Sequence, residues 1–315
     1  ETTLLKVVND LLSALDGGKI TVLTILDLSA AFDTVYYDIL LHRLQHVFGI
    51  HDTALLCFKS YLVNRTQIVS ANGKHSNPVD RCCGVPQRSV LRPVLFILYT
   101  QPLSSVIDYL PVSHQLYADD TQIYKSSHPA EVVATIQGVK RCISDVKSWM
   151  TCNKLQMNDD KTEAILITKQ RLSHSHPLPQ TINISDTNIK FTQSVRNLGV
   201  TLDSTLSLHQ HVMNICKAAY LELRRISSIR KYLSVDATKT LVCSLVLSRL
   251  DYCNQFCLVR PNIYFSNFKQ FKTQPLGSSL EYQDQSTPLP CSVPYTGYPY
   301  DQELNTKFVH CAIFH

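Results

Sequence analysis

Three aspartates in the sequence have neighbours that suit metal-dependent chemistry. Asp119 and Asp120 are adjacent in the run HQLYADDTQIY, and the β-prone residues around them predict a tight hairpin with both carboxylates at its tip. Asp27 ends the apolar run ITVLTIL, where a carboxylate must find cations, donors or solvent. Each aspartate also has an ordinary explanation, because Asp is common in turns and at helix N-caps.

The chemistry of such a trio depends on the fold bringing the acids together, since Asp27 and Asp119 are far apart in sequence. Clustered carboxylates raise one another's pKa values unless cations neutralise them. Mg²⁺ is the hard, oxygen-preferring cation for this role, with Mn²⁺ as an alternative. Two such ions about 3.5 to 4 Å apart assist in-line phosphoryl displacement. The acids alone do not choose between making and cleaving a phosphodiester.

The elements that must position the acids follow from the spacing of apolar residues. This spacing predicts an amphipathic helix that ends at Gly17-Gly18, and it predicts a strand over residues 20–28 that is buried on both faces. The run from Val90 to Tyr99 predicts a buried helix, in which Pro93 is acceptable only in the first turn. The other predicted elements are two helices within 38–63, β-like pieces at 66–70 and 79–83, a helix over 130–153, a loop entering a strand within 154–167, three short strands within 181–202, and helices near 208–230 and 235–250.

Composition is that of a globular protein. The chain has 315 residues, a formal net charge of +5 and 11 cysteines without a paired CxxC framework, so we expect reduced and mostly buried thiols. No apolar run is long enough to span a membrane and no signal peptide is visible, so we expect a soluble intracellular protein of the nucleus or cytoplasm. The basic residues of the second half suit either nucleic-acid binding or a solvated helix face. They are Lys217, Arg224, Arg225, Arg230, Lys231, Lys239 and Arg249.

The last part of the chain differs in character. After Asn254, scattered prolines and weak periodicity predict a poorly ordered tail, and LSHSHPLPQ predicts a linker. Cys253 and Cys257 with the distant pair His310-Cys311 match no compact zinc finger, so buried or idle thiols are the preferred interpretation.

A resemblance to a known protein family distinguishes among these possible functions. LDLSAAFDTV, GVPQRSVLRP, YADD and NLGVTLD occur in the order and approximate spacing typical of reverse transcriptases of non-long-terminal-repeat (LINE-type) retrotransposons, and MNDDKTE fits between the last two. The ordered set is specific, whereas YADD alone is weak. The resemblance covers about residues 1–253. It implies an α+β polymerase palm, built on a ferredoxin-like antiparallel sheet with packed helices, together with incomplete fingers and a helical thumb.

The resemblance also implies a division of the chain. Residues 1–168 would form the palm with residual fingers elements, and residues 169–207 the end of the palm and a primer-grip-like hairpin. Residues 208–253 would form a thumb-like helical region, and residues 254–315 an unrecognised tail.

Catalytic roles are implied for four residues. Asp27 and Asp119 would bind two Mg²⁺ ions, with Asp120 as the third acid. Lys161 resembles the lysine that protonates departing pyrophosphate, although an exposed strand-edge lysine explains it equally well. The implied reaction extends a DNA 3′-hydroxyl on an RNA template, with deoxynucleoside triphosphates as substrates and no membrane. The protein would act as a monomer or as part of a larger polyprotein.

Nucleotide-binding roles are implied for Leu28, Phe32, Pro86, Gln87 and Arg88. Phe32 resembles the aromatic gate that rejects a ribose 2′-hydroxyl, with core packing as its alternative. Pro86 and Gln87 would lie beside the incoming nucleotide and template. The alternative for these two residues is that they only form the entry to a helix.

The primer-side residues implied by the resemblance are Leu198 and Gly199. They match the hairpin that grips the primer backbone, and an ordinary tight turn is the alternative.

Departures from the family pattern lower the activity that we expect. Arg88 and Arg92 replace two glycines, and arginine tolerates neither unusual backbone angles nor close approach. Tyr36-Tyr37 replaces an expected Asp-His pair. Few residues precede Asp27, so we expect a truncated, partly degenerate polymerase with weak or absent activity. The alternatives are a non-catalytic nucleic-acid-binding relic and a metal-dependent nuclease.

Overall fold

The computed structural model describes residues 2–169, 171, 178–184 and 187–252. It divides into a larger unit, Lys6–Val195, and a smaller unit formed by Glu1–Leu5 and Arg196–His315. The predicted tail, most of the predicted linker and the cysteines considered for zinc lie outside the described residues. The domain boundaries implied by the resemblance stay a prediction. None of the helices in the described ranges combines the length and apolar character needed to cross a membrane.

Helices in the first part of the chain match the apolar spacing of the sequence. They are α1 (Thr2–Asp16), α2 (Tyr37–His46), α3 (Asp52–Leu62), α4 (Leu91–Thr100), α5 (Pro102–Asp108) and α6 (Val132–Cys152). The strands up to the end of the larger unit are β1 (Ile20–Ser29), β2 (Thr66–Gln67), β3 (Ser70–Ala71), β4 (Lys74–His75), β5 (Val79–Asp80), β6 (Ser113–Tyr117), β7 (Asp120–Ser127), β8 (Gln156–Ile167), β9 (Thr181–Ile184), β10 (Thr187–Thr192) and β11 (Ser194–Asn197).

The central sheet has the strand order β6-β7-β1-β8-β10-β9. Strands β6, β7, β1 and β8 are antiparallel neighbours. In chain order, β1, β6, β7 and β8 with their intervening helices form the βαββαβ arrangement of a ferredoxin-like fold. The predicted α+β palm sheet is therefore confirmed, with two added strands, because β10 pairs with β8 in the parallel direction and β9 pairs with β10.

The core of the larger unit lies between the sheet and its helices. Every residue of β1 from Ile20 to Leu26 is buried, as the strand prediction required. Helix α6 contacts β1, β7, β8 and β9. Its buried residues recur every three or four positions, which is the spacing of one helix face. They are Val132, Thr135, Val139, Cys142, Ile143, Val146 and Met150.

Helix α4 corrects one prediction, because it is not buried all round. Leu95, Phe96 and Tyr99 are buried, but Val94 is 50% and Ile97 is 51% exposed. A run with no polar stripe cannot reveal from sequence which face packs, and here only one face does. Pro93 lies in the first turn of α4, the position in which a proline is acceptable because no helical hydrogen bond is lost.

Two further predictions are wrong. Residues 156–167 form one continuous strand instead of a loop entering a strand. The cysteines are free thiols as expected, but only Cys142 and Cys216 are buried among the seven that the structure describes. The others lie outside the apolar faces of their elements; Cys152, for example, is the exposed last residue of α6.

A buried cation joins three helices of the larger unit. Arg43 of α2 is 8% exposed, and its guanidinium donates to the Tyr99 carbonyl and to the Asn153 side chain. It also lies 4.7 Å from the Tyr99 ring centroid and 5.3 Å from that of Trp149. Burial lowers the pKa of Arg43, and these acceptors and rings offset the cost of burying its charge.

Replacing Arg43 by Met is expected to lower the free energy of unfolding by about 2 to 4 kcal/mol, since it leaves the Tyr99 carbonyl without its partner. Urea denaturation measures the loss. Arg141→Met is the matched control, because Arg141 is exposed on α6 and its change should stay within about 0.5 kcal/mol. Equal losses in the two variants would contradict a structural role for Arg43.

The smaller unit is mainly helical. It contains β12 (Val200–Asp203), α7 (His209–Ile229), α8 (Val235–Val242) and α9 (Ser248–Asp251), with a π-helical turn at Cys243–Leu247. The predicted pair of helices is therefore confirmed, with the second one interrupted. Its core is formed by Ala219, Ile226, Val242 and Val246.

The entry to α7 is fixed by Asp203. Its carboxylate accepts hydrogen bonds from the backbone N–H groups of Thr205, Ser207 and Leu208 and from the hydroxyls of Thr205 and Ser207. Burial alone would raise the pKa of Asp203, but the hydrogen bonds from Thr205 and Ser207 outweigh burial and lower it.

His211 makes the stability of the smaller unit depend on pH. Burial, reinforced by the charge of Arg196, lowers the pKa of His211 to about 4, and the Thr201 N–H donates to its Nδ1 at 3.4 Å. Below pH about 6.5 the unfolded chain binds a proton that the folded chain excludes. The free energy of unfolding should therefore fall by up to about 3 kcal/mol as the pH drops towards 4. Urea denaturation at several pH values checks this, and an equally steep fall in His211→Gln would contradict it.

Candidate active site

The carboxylates of interest lie at the same end of two neighbouring strands. Strands β1 and β7 pair antiparallel up to Leu26 opposite Thr121. Asp27 is the next residue of β1, and Asp120 precedes Thr121 at the start of β7. Burial and the charges of Asp119 and Asp27 raise the pKa of Asp120. The fold therefore brings the three aspartates together, which sequence distance alone could not establish.

The hairpin that carries two of these acids is confirmed, with a shift of one residue. Tyr117 pairs directly with Asp120, so Asp120 begins β7, while Ala118 and Asp119 form the two-residue turn. Ala118 has a φ of 53°. This φ lies in the left-handed region that the first residue of primed hairpin turns requires.

Lys161 reaches the acids because β8 is irregular. The pairing of β1 with β8 passes from Ile25 opposite Glu163 to Asp27 opposite Asn158, so four residues of β8 lie opposite Leu26 alone. Such a bulge redirects side chains. Lys161 lies in it, and its Nζ is 3.7 Å from Asp27 Oδ2, while its side chain remains 71% exposed. This bulge was not predicted from the sequence, because the polar residues in MNDDKTE indicate a loop.

The chemistry of these donors fits a hard divalent cation, because the acids repel one another and their oxygens are the ligands Mg²⁺ prefers. Within the residues the structure describes, no three His, Cys, Asp or Glu side chains form a group that could hold an ion. Lys161 forms an ion pair with Asp27.

The residues assigned to the nucleotide differ in exposure. Leu28 is 6% exposed within the core. Phe32 is half-buried, and its ring packs against Phe96 at 4.7 Å between centroids. Gln87 is exposed and Pro86 half-buried. The loop carrying Pro86 and Gln87 is tied to Phe32, because the Val85 N–H donates to the Phe32 carbonyl at 3.0 Å.

Tyr36 and Tyr37, which depart from the family pattern, anchor that loop. Tyr37 is buried, and its hydroxyl lies 3.0 Å from the Cys83 carbonyl and 2.9 Å from the Gly84 carbonyl. Tyr36 forms an isolated bridge with Cys83. Gly84 itself has a φ of 92°, and a Cβ there would lie 3.1 Å from the Asp33 carbonyl oxygen. Glycine is therefore favoured at this point of the loop, chiefly by its backbone conformation.

Arg88 and Arg92 behave differently from one another. Arg88 is exposed, and its φ of 60° is the left-handed conformation in which glycine is preferred. Arg92 is half-buried in the first turn of α4, with its guanidinium 4.4 Å from the centroid of the Phe32 ring. The cation–π contact of Arg92 with Phe32 was not foreseen from sequence. It is worth about 0.5 to 2 kcal/mol, depending on desolvation.

Leu198 and Gly199 form the two-residue turn between β11 and β12, with φ values of 44° and 87°. Positive φ at both positions is the requirement of a type I′ hairpin. The Tyr252 hydroxyl donates to the Leu198 carbonyl at 2.6 Å. The tight hairpin is present as predicted, whereas its role towards a primer stays a prediction.

Gly199→Ala is expected to lower the free energy of unfolding by about 1 to 3 kcal/mol. The new Cβ would lie 3.3 Å from the Tyr252 ring, and an alanine would have to adopt the φ of 87°, which is unfavourable for a residue with a side chain. Gly73→Ala is the matched control, since Gly73 has a φ of 74° but nothing within 4 Å of the new Cβ. Thermal unfolding of both variants separates steric contact from backbone strain, and equal losses would show that the Tyr252 contact contributes nothing.

Relatives of this chain come from mobile elements. The RNA-directed DNA polymerase from mobile element jockey of Drosophila melanogaster is 27% identical over 255 residues, which cover 78% of this chain and 27% of that protein. The probable RNA-directed DNA polymerase from transposon BS of the same species is 27% identical over 236 residues, 73% of this chain and 25% of that protein. The chain thus spans about a quarter of the curated relatives it matches.

Solved structures similar to this chain include apo telomerase from Candida Tropicalis, which is 12% identical with a TM-score of 0.46. The match covers 84% of this chain and 50% of that chain. A telomerase from the same organism, truncated from its C-terminal domain, is 16% identical with a TM-score of 0.44, over 64% of this chain and 39% of that chain. At such scores the likeness adds nothing to the assignment.

A sequence model of the family described as reverse transcriptase (RNA-dependent DNA polymerase) matches residues 5–202, well over half of the chain. The match includes the three aspartates, Lys161 and the loop around Gln87. The relatives from mobile elements are named as RNA-directed DNA polymerases or probable ones. The chain therefore belongs to the reverse transcriptase family.

Proposed function

We propose that this chain is the polymerase portion of an RNA-directed DNA polymerase, which extends a DNA primer on an RNA template. The observation that carries the proposal is the grouping of Asp27, Asp119 and Asp120 at one end of β1 and β7, with Lys161 beside them. The family match supports the same reaction.

In this proposal Asp27 and Asp119 hold two Mg²⁺ ions, with Mn²⁺ as a substitute, and Asp120 is the third acid. Bound divalent ions activate the attacking hydroxyl and stabilise the leaving oxygen in phosphoryl transfer. Neutralising the three carboxylates removes the repulsion that raises the pKa of Asp120. The ion pair of Asp27 with Lys161 must then loosen, which suits a lysine side chain that is largely exposed.

Lys161 has a second role in the proposed reaction. Once released from Asp27, its ammonium donates a proton to the departing pyrophosphate. A flexible side chain on a strand bulge allows this movement without a change in the sheet. The 3.7 Å separation from Asp27 supports this assignment over that of an ordinary strand-edge lysine.

The nucleotide side of the proposed site is formed by Phe32 and the loop from Pro86 to Arg88, where the nucleotide sugar packs against the Phe32 ring. Leu28 contributes through its backbone, because its side chain is buried in the core. Arg92 limits the movement of Phe32 by stacking on its ring.

The primer and template contacts are assigned to the smaller unit in this proposal. Leu198 and Gly199 offer a rigid hairpin turn for a primer backbone. The helices α7 to α9 offer exposed cations, including Lys217, Arg224 and Lys239. Their contribution is reduced by internal pairing, since Arg225 and Arg249 both pair with Glu222. Binding through such phosphate contacts weakens steeply with salt.

Primer extension tests the proposed function. The full chain is incubated with a DNA primer annealed to RNA, deoxynucleoside triphosphates and Mg²⁺, and products are separated by length. Stepwise, template-dependent extension supports the proposal. Cleavage of the nucleic acid without added nucleotides would instead identify a metal-dependent nuclease.

A non-catalytic relic is the second candidate, favoured by the left-handed backbone of Arg88 in the loop assigned to the nucleotide. Such a protein would bind duplex in a salt-sensitive manner. Binding that survives Asp119→Ala, with no extension by any variant in which Arg88 and Arg92 are replaced by Gly, would establish it.

A further inference from the structure

Helix α2 exposes two histidines that no step of the proposed reaction uses. His42 and His46 are four residues apart, so they lie on one face of the helix. Their ring centroids are 4.4 Å apart and the ring planes are tilted by 43°. Both residues are exposed to solvent. The two imidazoles therefore stand side by side where a dissolved ion can reach them.

The geometry suits one metal ion shared by two imidazole nitrogens. A tetrahedral ion with Zn–N bonds of about 2.0 to 2.1 Å places two ligand nitrogens roughly 3.3 Å apart. The ring centroids are already 4.4 Å apart, so rotation of the two side chains can turn one nitrogen of each ring towards a common ion without a change in the helix. The i, i+4 histidine pair is the same arrangement that helical zinc sites use.

We propose that His42 and His46 form a surface binding site for a borderline transition-metal cation of the Ni²⁺, Cu²⁺ and Zn²⁺ class. Imidazole suits these ions, whereas carboxylates suit Mg²⁺ and Mn²⁺. No third His, Cys, Asp or Glu completes a metal-binding group anywhere in the described ranges. Water therefore fills the remaining coordination positions.

Binding at this site would stabilise the last turn of α2. Arg43 lies between the two histidines in sequence, and its buried guanidinium joins α2 to α4 through the Tyr99 carbonyl. An ion that fixes His42 to His46 holds the helical turn from which Arg43 projects. Because the ion binds the folded chain in preference to the unfolded one, it raises the melting temperature.

The test uses Ni²⁺ alone as the probe and the full chain as the protein. Isothermal titration of the wild type is compared with that of His42→Gln, His46→Gln and the control His51→Gln. His51 is also exposed, but it lies just before α3 and outside the pair.

The expected result is that His42→Gln and His46→Gln each lose one Ni²⁺ site or weaken it at least tenfold, while His51→Gln binds as the wild type does. A hundredfold excess of Ni²⁺ over the dissociation constant should raise the melting temperature of the wild type by about 5 °C or more. Equal binding by the wild type and both pair variants would overturn the site. Failure of primer extension bears on neither outcome.

Discussion

Asp119→Asn is expected to reduce primer extension by about a thousandfold while leaving the fold intact. Asp119 is one of three carboxylates whose charges must hold cations for the proposed reaction, and losing one such group costs about 10² to 10³ in rate or more. Its removal also lowers the repulsion that raises the pKa of Asp120. Without divalent ions the variant should therefore melt at a temperature equal to or above that of the wild type.

The measurement combines steady-state extension with thermal unfolding in a chelator. Asp80→Asn is the matched control, since Asp80 is an exposed acid in the short strand β5 and its replacement removes the same charge. Asp80→Asn should extend primers at the wild-type rate. A catalytic loss in Asp119→Asn that is accompanied by a lower melting temperature would point to a folding role for the hairpin, against the proposed site.

Replacing Arg88 and Arg92 together by Gly is expected to raise the extension rate by about tenfold or more. Arg88 holds a φ of 60°, which costs about 1 to 2 kcal/mol for a residue with a Cβ. Its side chain stands in the loop assigned to the nucleotide, where small misplacements cost up to about a hundredfold in rate. Arg92 is stacked on Phe32 and restricts the ring beside which the sugar would lie.

Single variants separate these causes. Arg88→Ala removes the side chain but keeps the unfavourable φ, whereas Arg88→Gly removes both, so a rate gain seen only with Gly assigns the defect to the backbone. Arg92→Gly tests the contact with Phe32 by itself. Equal rates for the wild type and the double variant would refute the idea that these arginines obstruct the site.

In this chain the side chains assigned to catalysis are present, whereas the space around them is altered. The three aspartates lie at one end of β1 and β7, and Lys161 Nζ lies 3.7 Å from Asp27 Oδ2. Tyr36 and Tyr37, although unlike the family pattern, hold the loop after Cys83 in place. We therefore expect the departures at Arg88 and Arg92, which two substitutions can reverse, to affect activity most.

The sequence by itself determined the family, the candidate acids and most of the chain order of the helices and strands, although helix α5 was not predicted and residues 181–203 contain four strands instead of three. These properties are local, because a motif or an apolar period is read within about ten to twenty residues. The hairpin around Asp119 and the strand ending near Asp27 were predictable for this reason. So was the turn at Leu198 and Gly199.

Only the tertiary structure decided which groups meet. The bulge in β8 that brings Lys161 to Asp27 depends on pairing with β1, more than a hundred residues earlier in the chain. The stacking of Arg92 on Phe32 and the exposed face of α4 likewise depend on which element packs against which. Contacts between distant segments leave no periodic signal in the sequence, so the space available around the three acids could be judged only from the fold.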